Sequence, residues 1–223
     1  MPYELNPYSM LSHLPLFQGM SLGEFDNVIA TVRLGFSKVE AGNTIVEEGQ
    51  QVAGLVFILR GEAEAEWVAD DRGFRVRERL VTPCVLQPER LFGMTQRFSA
   101  TFQATEECQL LTIDKMEVMR ISTESQVFRL NVLNLLCTRI QRMERLPWRH
   151  KPDGLRKKIA SFVERHSLRP AGRKVISIGM VRLAREIGES RLNVSRELHR
   201  MQQDGLIEMQ RETIVVPHLE KLL

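Results

Sequence analysis

The chain holds 223 residues, 43% hydrophobic and 26% charged, with a net charge of +3. That balance excludes dominant disorder and allows one or two domains, each with a real core. No run of 18 apolar residues provides a transmembrane helix, and the N-terminal residues Met1–Met10 lack the basic and apolar regions of a secretory signal. Three widely spaced cysteines, Cys84, Cys108 and Cys137, speak against a disulfide scaffold, a CxxC redox pair or a cysteine-ligated zinc, so a reducing cytoplasm is expected.

Charge is unevenly divided. Residues 1–149 carry 16 Lys and Arg against 19 Asp and Glu, a net of −3, whereas residues 150–223 carry 15 against 9, a net of +6. A basic last third suggests an anionic partner for that part.

Residues 35–113 read as short β-branched runs broken by Gly42, Gly49, Gly54, Gly61, Gly73 and Gly93, the pattern of a sandwich or roll. Glu62–Trp67 alternates strictly, and Phe74–Leu80 alternates after the turn residues Asp70–Gly73, which predicts an antiparallel hairpin. A turn centred between Asp70 and Asp71 would place Glu66 opposite Arg75, Glu64 opposite Arg77 and Glu62 opposite Arg79.

The period then changes. Asp114 with Glu117, and Thr123 with Gln126, read as helix starts, and a long helix runs from Thr123 to Leu146, ended by Pro147. Leu133, Leu136, Ile140 and Met143 have the 3-4-3 spacing of a coiled-coil seam, with Phe128, Val132 and Leu135 as a second apolar flank. A helix apolar on two flanks is expected to pack on its own domain and on a second copy of the chain. Trp148–Gly154 reads as a linker, Leu155–His166 as a helix and Lys174–Ile178 as a short strand.

Residues 179–207 are the most informative. Leu183–Gly188 reads as a short helix ending at glycine, and Ser190 as the N-cap of a second helix, Arg191–Gln203. A helix-turn-helix needs a small residue where the helices touch, a turn residue tolerant of positive φ and an apolar plug; Ala184, Gly188 and Val194 meet these needs. Leu183, Ile187, Leu198 and Met201 complete the buried face, leaving Ser190, Arg191, Asn193, Ser195, Arg196 and Arg200 as candidate DNA-contacting residues. Leu206–Met209 and Thr213–Val216 form a hairpin placed like a wing. The competing reading is a small-molecule-binding or signalling protein whose helix-turn-helix is a protein-contact module.

These motifs together resemble the Crp/Fnr family of bacterial transcription regulators. Leu14–Phe17 with Met20-Ser21 is like the family's opening helix, Ala41–Gly49 resembles its "GxxIxxxG" turn, and Leu55–Gly61 is similar to its "YfIlxG" strand. Ile178–Ile207 matches its helix-turn-helix without a gap, with Arg191 and Arg196 at the positions of the family's two recognition arginines. Ser195-Arg196 resembles the pair common in the Fnr branch, but Leu192 and Asn193 stand where an acid is often found, so a different half-site is expected. The resemblance implies an α+β chain: a cyclic-nucleotide-binding-like β-roll (residues 1–122), a dimerisation helix (123–147) and a C-terminal winged helix-turn-helix (148–223). It implies a cytoplasmic homodimer that partners double-stranded DNA and RNA polymerase, with no membrane partner and no enzyme activity.

The family's nucleotide cassette carries a glycine-acid pair and an Arg-Ser-Ala. Here Leu91–Ala100 has Met94 for the acid and Phe98 for the arginine, and Arg97 is one position off, which turns it to the opposite face of a strand. Cyclic AMP is therefore not expected to bind. Two outcomes remain open: side chains close the space left by the shortened cassette and no ligand binds, or it admits an apolar effector beside Phe92, Phe98 and Phe102, with Arg97 and Ser99 nearby. No cofactor or metal is expected: three thiolates cannot hold an iron–sulfur switch, and no histidine lies between His13 and His150 to ligate haem or a cupin-type metal.

Overall fold

The computed structural model describes residues 10–145, 148 and 152–223. They fall into two compact units: residues up to 63 together with 80–145, and residues 64–79 together with those from 148 onward. The sequence reading leaves residues 64–79 with the roll, and in this the structure differs from it. The expected stop at Pro147 lies outside the described residues, as does most of the first part of the linker.

In the first unit, β1 (Leu34–Val39), β3 (Gly54–Arg60), β6 (Cys84–Leu86) and β8 (Cys108–Asp114) form an antiparallel sheet in the order β1-β8-β3-β6. The strands β2 (Thr44–Val46) and β7 (Thr101–Ala104) pair with each other. The glycine breaks have a steric cause at Gly61: its φ is +96°, and an added Cβ would lie 2.2 Å from the Glu107 carbonyl oxygen. Helix α1 (Leu22–Thr31) opens on a capping box in which the Ser21 and Glu24 side chains bond each other's backbone N–H.

Helices α2 (Lys115–Glu124) and α3 (Gln126–Arg145) follow β8, so the expected long helix begins three residues late. Ser125, rather than Thr123, caps it: the Phe128 N–H donates to Ser125 Oγ, which itself donates to Glu24. The Thr123 hydroxyl instead donates to the Met119 carbonyl of its own helix. Asp114 stands at the N-cap position of α2 as expected, but its side chain makes no capping bond. One flank of α3 is packed: Phe128 is fully buried, with its ring 5.1 Å from that of Phe17, and the Asn131 amide donates to the Leu16 and Gln18 carbonyls. The other flank is open, with Leu133, Ile140 and Met143 50%, 55% and 69% exposed.

The second unit is a winged helix with an unexpected strand pair. Helix α4 (Leu155–Arg165), β9 (Lys174–Ile178), α5 (Met180–Ile187), α6 (Arg191–Gln203) and the wing β10 (Glu208–Gln210) and β11 (Thr213–Val216) follow the expected order. To this sheet the hairpin β4 (Ala63–Val68) and β5 (Phe74–Arg79) adds two strands, giving β10-β11-β9-β5-β4. Val76 is buried in the winged-helix core with Ile159, Phe162 and Ile176, and Phe74 packs against it.

The hairpin's faces are as expected, but its register is displaced by two residues: Glu64 opposes Arg79, Glu66 opposes Arg77 and Val68 opposes Arg75. The turn is centred one residue later than expected. Arg72 takes a left-handed φ of 54°, its N–H bonds the Ala69 carbonyl, and the Asp71 carboxylate accepts from the Gly73 N–H. Glu66 consequently reaches both Arg75 and Arg77, at 3.5 and 3.8 Å.

Residues on β5 alternate, so Glu78 points inward. It and Lys174 are 2% and 1% exposed and pair at 2.7 Å. The same carboxylate accepts the Leu168 and Arg169 backbone N–H groups, and the ammonium also donates to the Ala171 carbonyl. Both charges are therefore satisfied where the hairpin meets the winged helix.

Candidate nucleic-acid interface and sensor region

Helix α6 is built from its buried side outward. Gly188 ends α5 with φ of 67°, a conformation nearly free of cost only for glycine, and Ser190 Oγ accepts the Asn193 N–H to start α6. Val194, Leu198 and Met201 are fully buried, with Ala184 and Leu183 on the facing helix. At about 100° per residue, that fixes the direction of everything else. Leu192, Arg196, His199 and Gln203 form the exposed ridge opposite the core. Arg191 and Ser195 lie on one shoulder and Asn193 and Arg200 on the other.

All six candidates thus lie on the N-cap or away from the buried face, with Ser195 half-buried and the others exposed. Arg191 and Arg196 are both open, whereas Arg200 lies 3.6 Å from Glu197. Arg156 is held by Glu197 and Asp204 at 3.1 and 2.6 Å, hydrogen bonds that raise its already high pKa, and Lys158 is held by Glu189. These basic residues brace α4 against the helix-turn-helix. Sequence reasoning missed Leu192 and His199 on the outward ridge; the spacing 192, 196, 199 was the available signal.

The ligand candidates in the roll are not gathered into one site. Phe98 is 3% exposed and packs edge-on against buried Phe102, their centroids 6.3 Å apart. Ser99 is tied to Gln87, whose amide donates to the Ser99 hydroxyl and accepts the Ser99 N–H, both at 2.8 Å. Arg97 is exposed, as its displaced position requires, and its guanidinium donates to the Gly49 carbonyl at 2.8 Å. Phe92 is exposed under the Lys115 ammonium, 4.9 Å from the ring centroid. Met94, in the place of the acid, is fully exposed. Among the described residues no cluster of His, Cys, Asp and Glu is arranged to hold a metal, and no helix is long and apolar enough to cross a membrane.

A β-roll followed by a winged helix-turn-helix with an open arginine face defines the class of two-part transcription regulators. The comparisons agree. Residues 36–125 match the cyclic nucleotide-binding domain model, and residues 157–223 the Crp-like helix-turn-helix domain model. The chain belongs to the Crp/Fnr family of transcription regulators. Its fold is similar to that of a Crp/Fnr-family transcriptional regulator from Eubacterium rectale, 21% identical with a TM-score of 0.52, over 93% of this chain and 95% of that one. It is also similar in fold to CLP, the c-di-GMP responsive global regulator of Xanthomonas campestris, 16% identical with a TM-score of 0.51, over 88% and 99% of the two chains. A potassium channel protein of Rhodopseudomonas palustris is 26% identical over 107 residues, a match that covers 48% of this chain but only 25% of that protein.

Proposed function

We propose that this protein is a homodimeric, sequence-specific DNA-binding transcription regulator that does not respond to cyclic AMP. The observation that carries the reading is the outward face of α6, where Arg191 and Arg196 stand free of carboxylate partners among the described residues while Val194, Leu198 and Met201 anchor the helix. An arginine there donates two bonds to the O6 and N7 of guanine. Exposed Leu192 beside Arg196 offers a methyl-sized contact to thymine, and Asn193 and Ser195 donate or accept at base edges or phosphates. The seam of exposed Leu133, Ile140 and Met143 with half-buried Leu136 on α3 pairs with its symmetry mate, so that one molecule reads two half-sites about one helical turn apart.

RNA polymerase is the further protein partner, and any small-molecule effector is something other than a cyclic nucleotide. Selection on random duplexes tests the reading. The native chain should enrich a pseudo-palindrome with affinity falling steeply with salt. Arg196→Ala should lose about 1–3 kcal/mol per half-site and its preference at one base step. Full affinity and unaltered preference in Arg196→Ala would overturn the assignment of α6 as the reading helix.

A further inference from the structure

The winged-helix unit contains a cavity that the DNA-binding reading does not use. It has a volume of about 300 Å³ and lies between the inward face of the hairpin and the C-terminal end of α4. Its walls include Trp67, Phe74 and Val76 from the hairpin and Arg165, His166 and Ser167 from the helix end. The cavity has a structural cause. Phe74 and Val76 on β5 pack into the core under α4, but α4 ends at Arg165, so the inward side of β4, with Trp67 opposite Val76, is left over an open space.

The chemistry of the walls is specific. One side is aromatic: Phe74 and His166 meet edge to face at 5.1 Å, Phe162 backs them at 5.5 and 4.5 Å, and Trp67 stands on the neighbouring strand. Flat rings of this kind accept a flat ring between or against them. The other side is cationic. The Arg165 Nε donates to the Ser161 carbonyl, which fixes the side chain's direction, and no carboxylate among the described residues pairs with its guanidinium. Like Arg191 and Arg196 it is unpaired, and it is the one arginine or lysine among the residues that line the cavity. His166 Nδ1 is committed to the Phe162 carbonyl, which leaves Nε2 as the ring's remaining polar atom. The Ser167 hydroxyl donates to the Val163 carbonyl and keeps its lone pairs.

We propose that this cavity is a binding site for a small aromatic carboxylate, with the ring against Trp67 and the Phe74–His166 pair and the carboxylate on the Arg165 guanidinium. The volume is at the small end of ligand pockets and fits one or two fused rings, not a nucleotide. Arginine rather than lysine suits a planar carboxylate, because two N–H groups can meet both oxygens. The hairpin supplies half of the walls, so a bound ring adds to the contacts that hold the hairpin on the winged helix. The inference stands apart from the DNA-binding reading, and its test needs no DNA.

Isothermal calorimetry on the full chain with 1-naphthoate is the direct test. Saturable binding with one site per chain is expected, at least tenfold weaker for the uncharged isostere 1-naphthamide and for Arg165→Gln. Arg165 is exposed at a helix end, so that variant should fold normally; Arg165→Lys, which keeps the charge, should recover part of the loss. Trp67→Phe should retain binding and remove the ligand-induced change in tryptophan fluorescence. Absence of saturation at millimolar 1-naphthoate, equal affinity for the amide, or unchanged binding in Arg165→Gln would each overturn the proposal.

Discussion

A single carboxylate, Glu78, makes the largest demand of any side chain in the winged-helix unit. It is buried with three donors: Lys174 and two backbone N–H groups. Removing either partner of such a pair leaves the other charge without water, at a cost of about 3–5 kcal/mol, although a well-packed apolar pair can replace both. Glu78→Leu and Lys174→Met should each lower the urea midpoint sharply, and the double variant should lose much less than the sum of the two. Additive losses would mean that the two charges do not act as a pair. Glu24 makes a different demand in the roll. Hydrogen bonds from the Ser125 hydroxyl, and from the Ser21 backbone and side chain, hold its carboxyl below the ordinary carboxylate range. Its folded pKa is lowered, so its contribution is present above the unfolded pKa and is lost as pH falls through the folded one. Urea midpoints measured from neutral pH downward should therefore fall less steeply in Glu24→Gln than in the native chain. Parallel curves would remove Glu24 from the acid response.

At the scale of elements, the proposed assembly rests on α3. Its exposed stripe should be covered by a second copy. Leu136→Glu with Ile140→Glu should give monomers in sedimentation, because both carboxylates would be buried without partners. An unaltered dimer would place the seam elsewhere. The elements also show what could be read from residues alone. Period and caps located α6 to the residue, because Ser190, Val194 and Leu198 act within one helix and its immediate neighbour. The wing was legible for the same reason. The hairpin register was not, because it turns on Arg72 adopting a left-handed conformation, which a bulky arginine seldom does and which no spacing announces. The hairpin's membership of the winged-helix sheet was hidden for a different reason: β5 and β9 are about a hundred residues apart. One signal was available, since Glu78 alone breaks the apolar side of an otherwise amphipathic strand and so calls for a buried cation. Which role an aromatic takes in the place of an arginine, lining a cavity or filling it, is not legible from the sequence; here Phe98 is packed against Phe102.

At the scale of the whole molecule, the roll keeps the frame of a nucleotide sensor while its own side chains use the polar groups a phosphate would need. The Ser99 N–H is taken by Gln87, and the Arg97 guanidinium by the Gly49 carbonyl. A phosphate set against Phe98 would be desolvated without its charge-assisted bonds, and losing two of these removes several decades of affinity at ~1.4 kcal/mol per tenfold. Calorimetry with millimolar cyclic AMP and cyclic GMP should show no saturation; micromolar binding abolished by Arg97→Ala would mean that the arginine is recruited after all. The hairpin shared with the C-terminal part also bears on how the chain is made. Residues 64–79 leave the ribosome several seconds before β9, at roughly 5–20 residues per second. During that interval β5 presents an open edge to neighbouring nascent chains. Its arginines at 75, 77 and 79 and the inward carboxylate of Glu78 make a poor template for any strand but one that brings a lysine to the position of Lys174. The carboxylate that later closes the core as half of an ion pair thereby guards the strand before its partner exists.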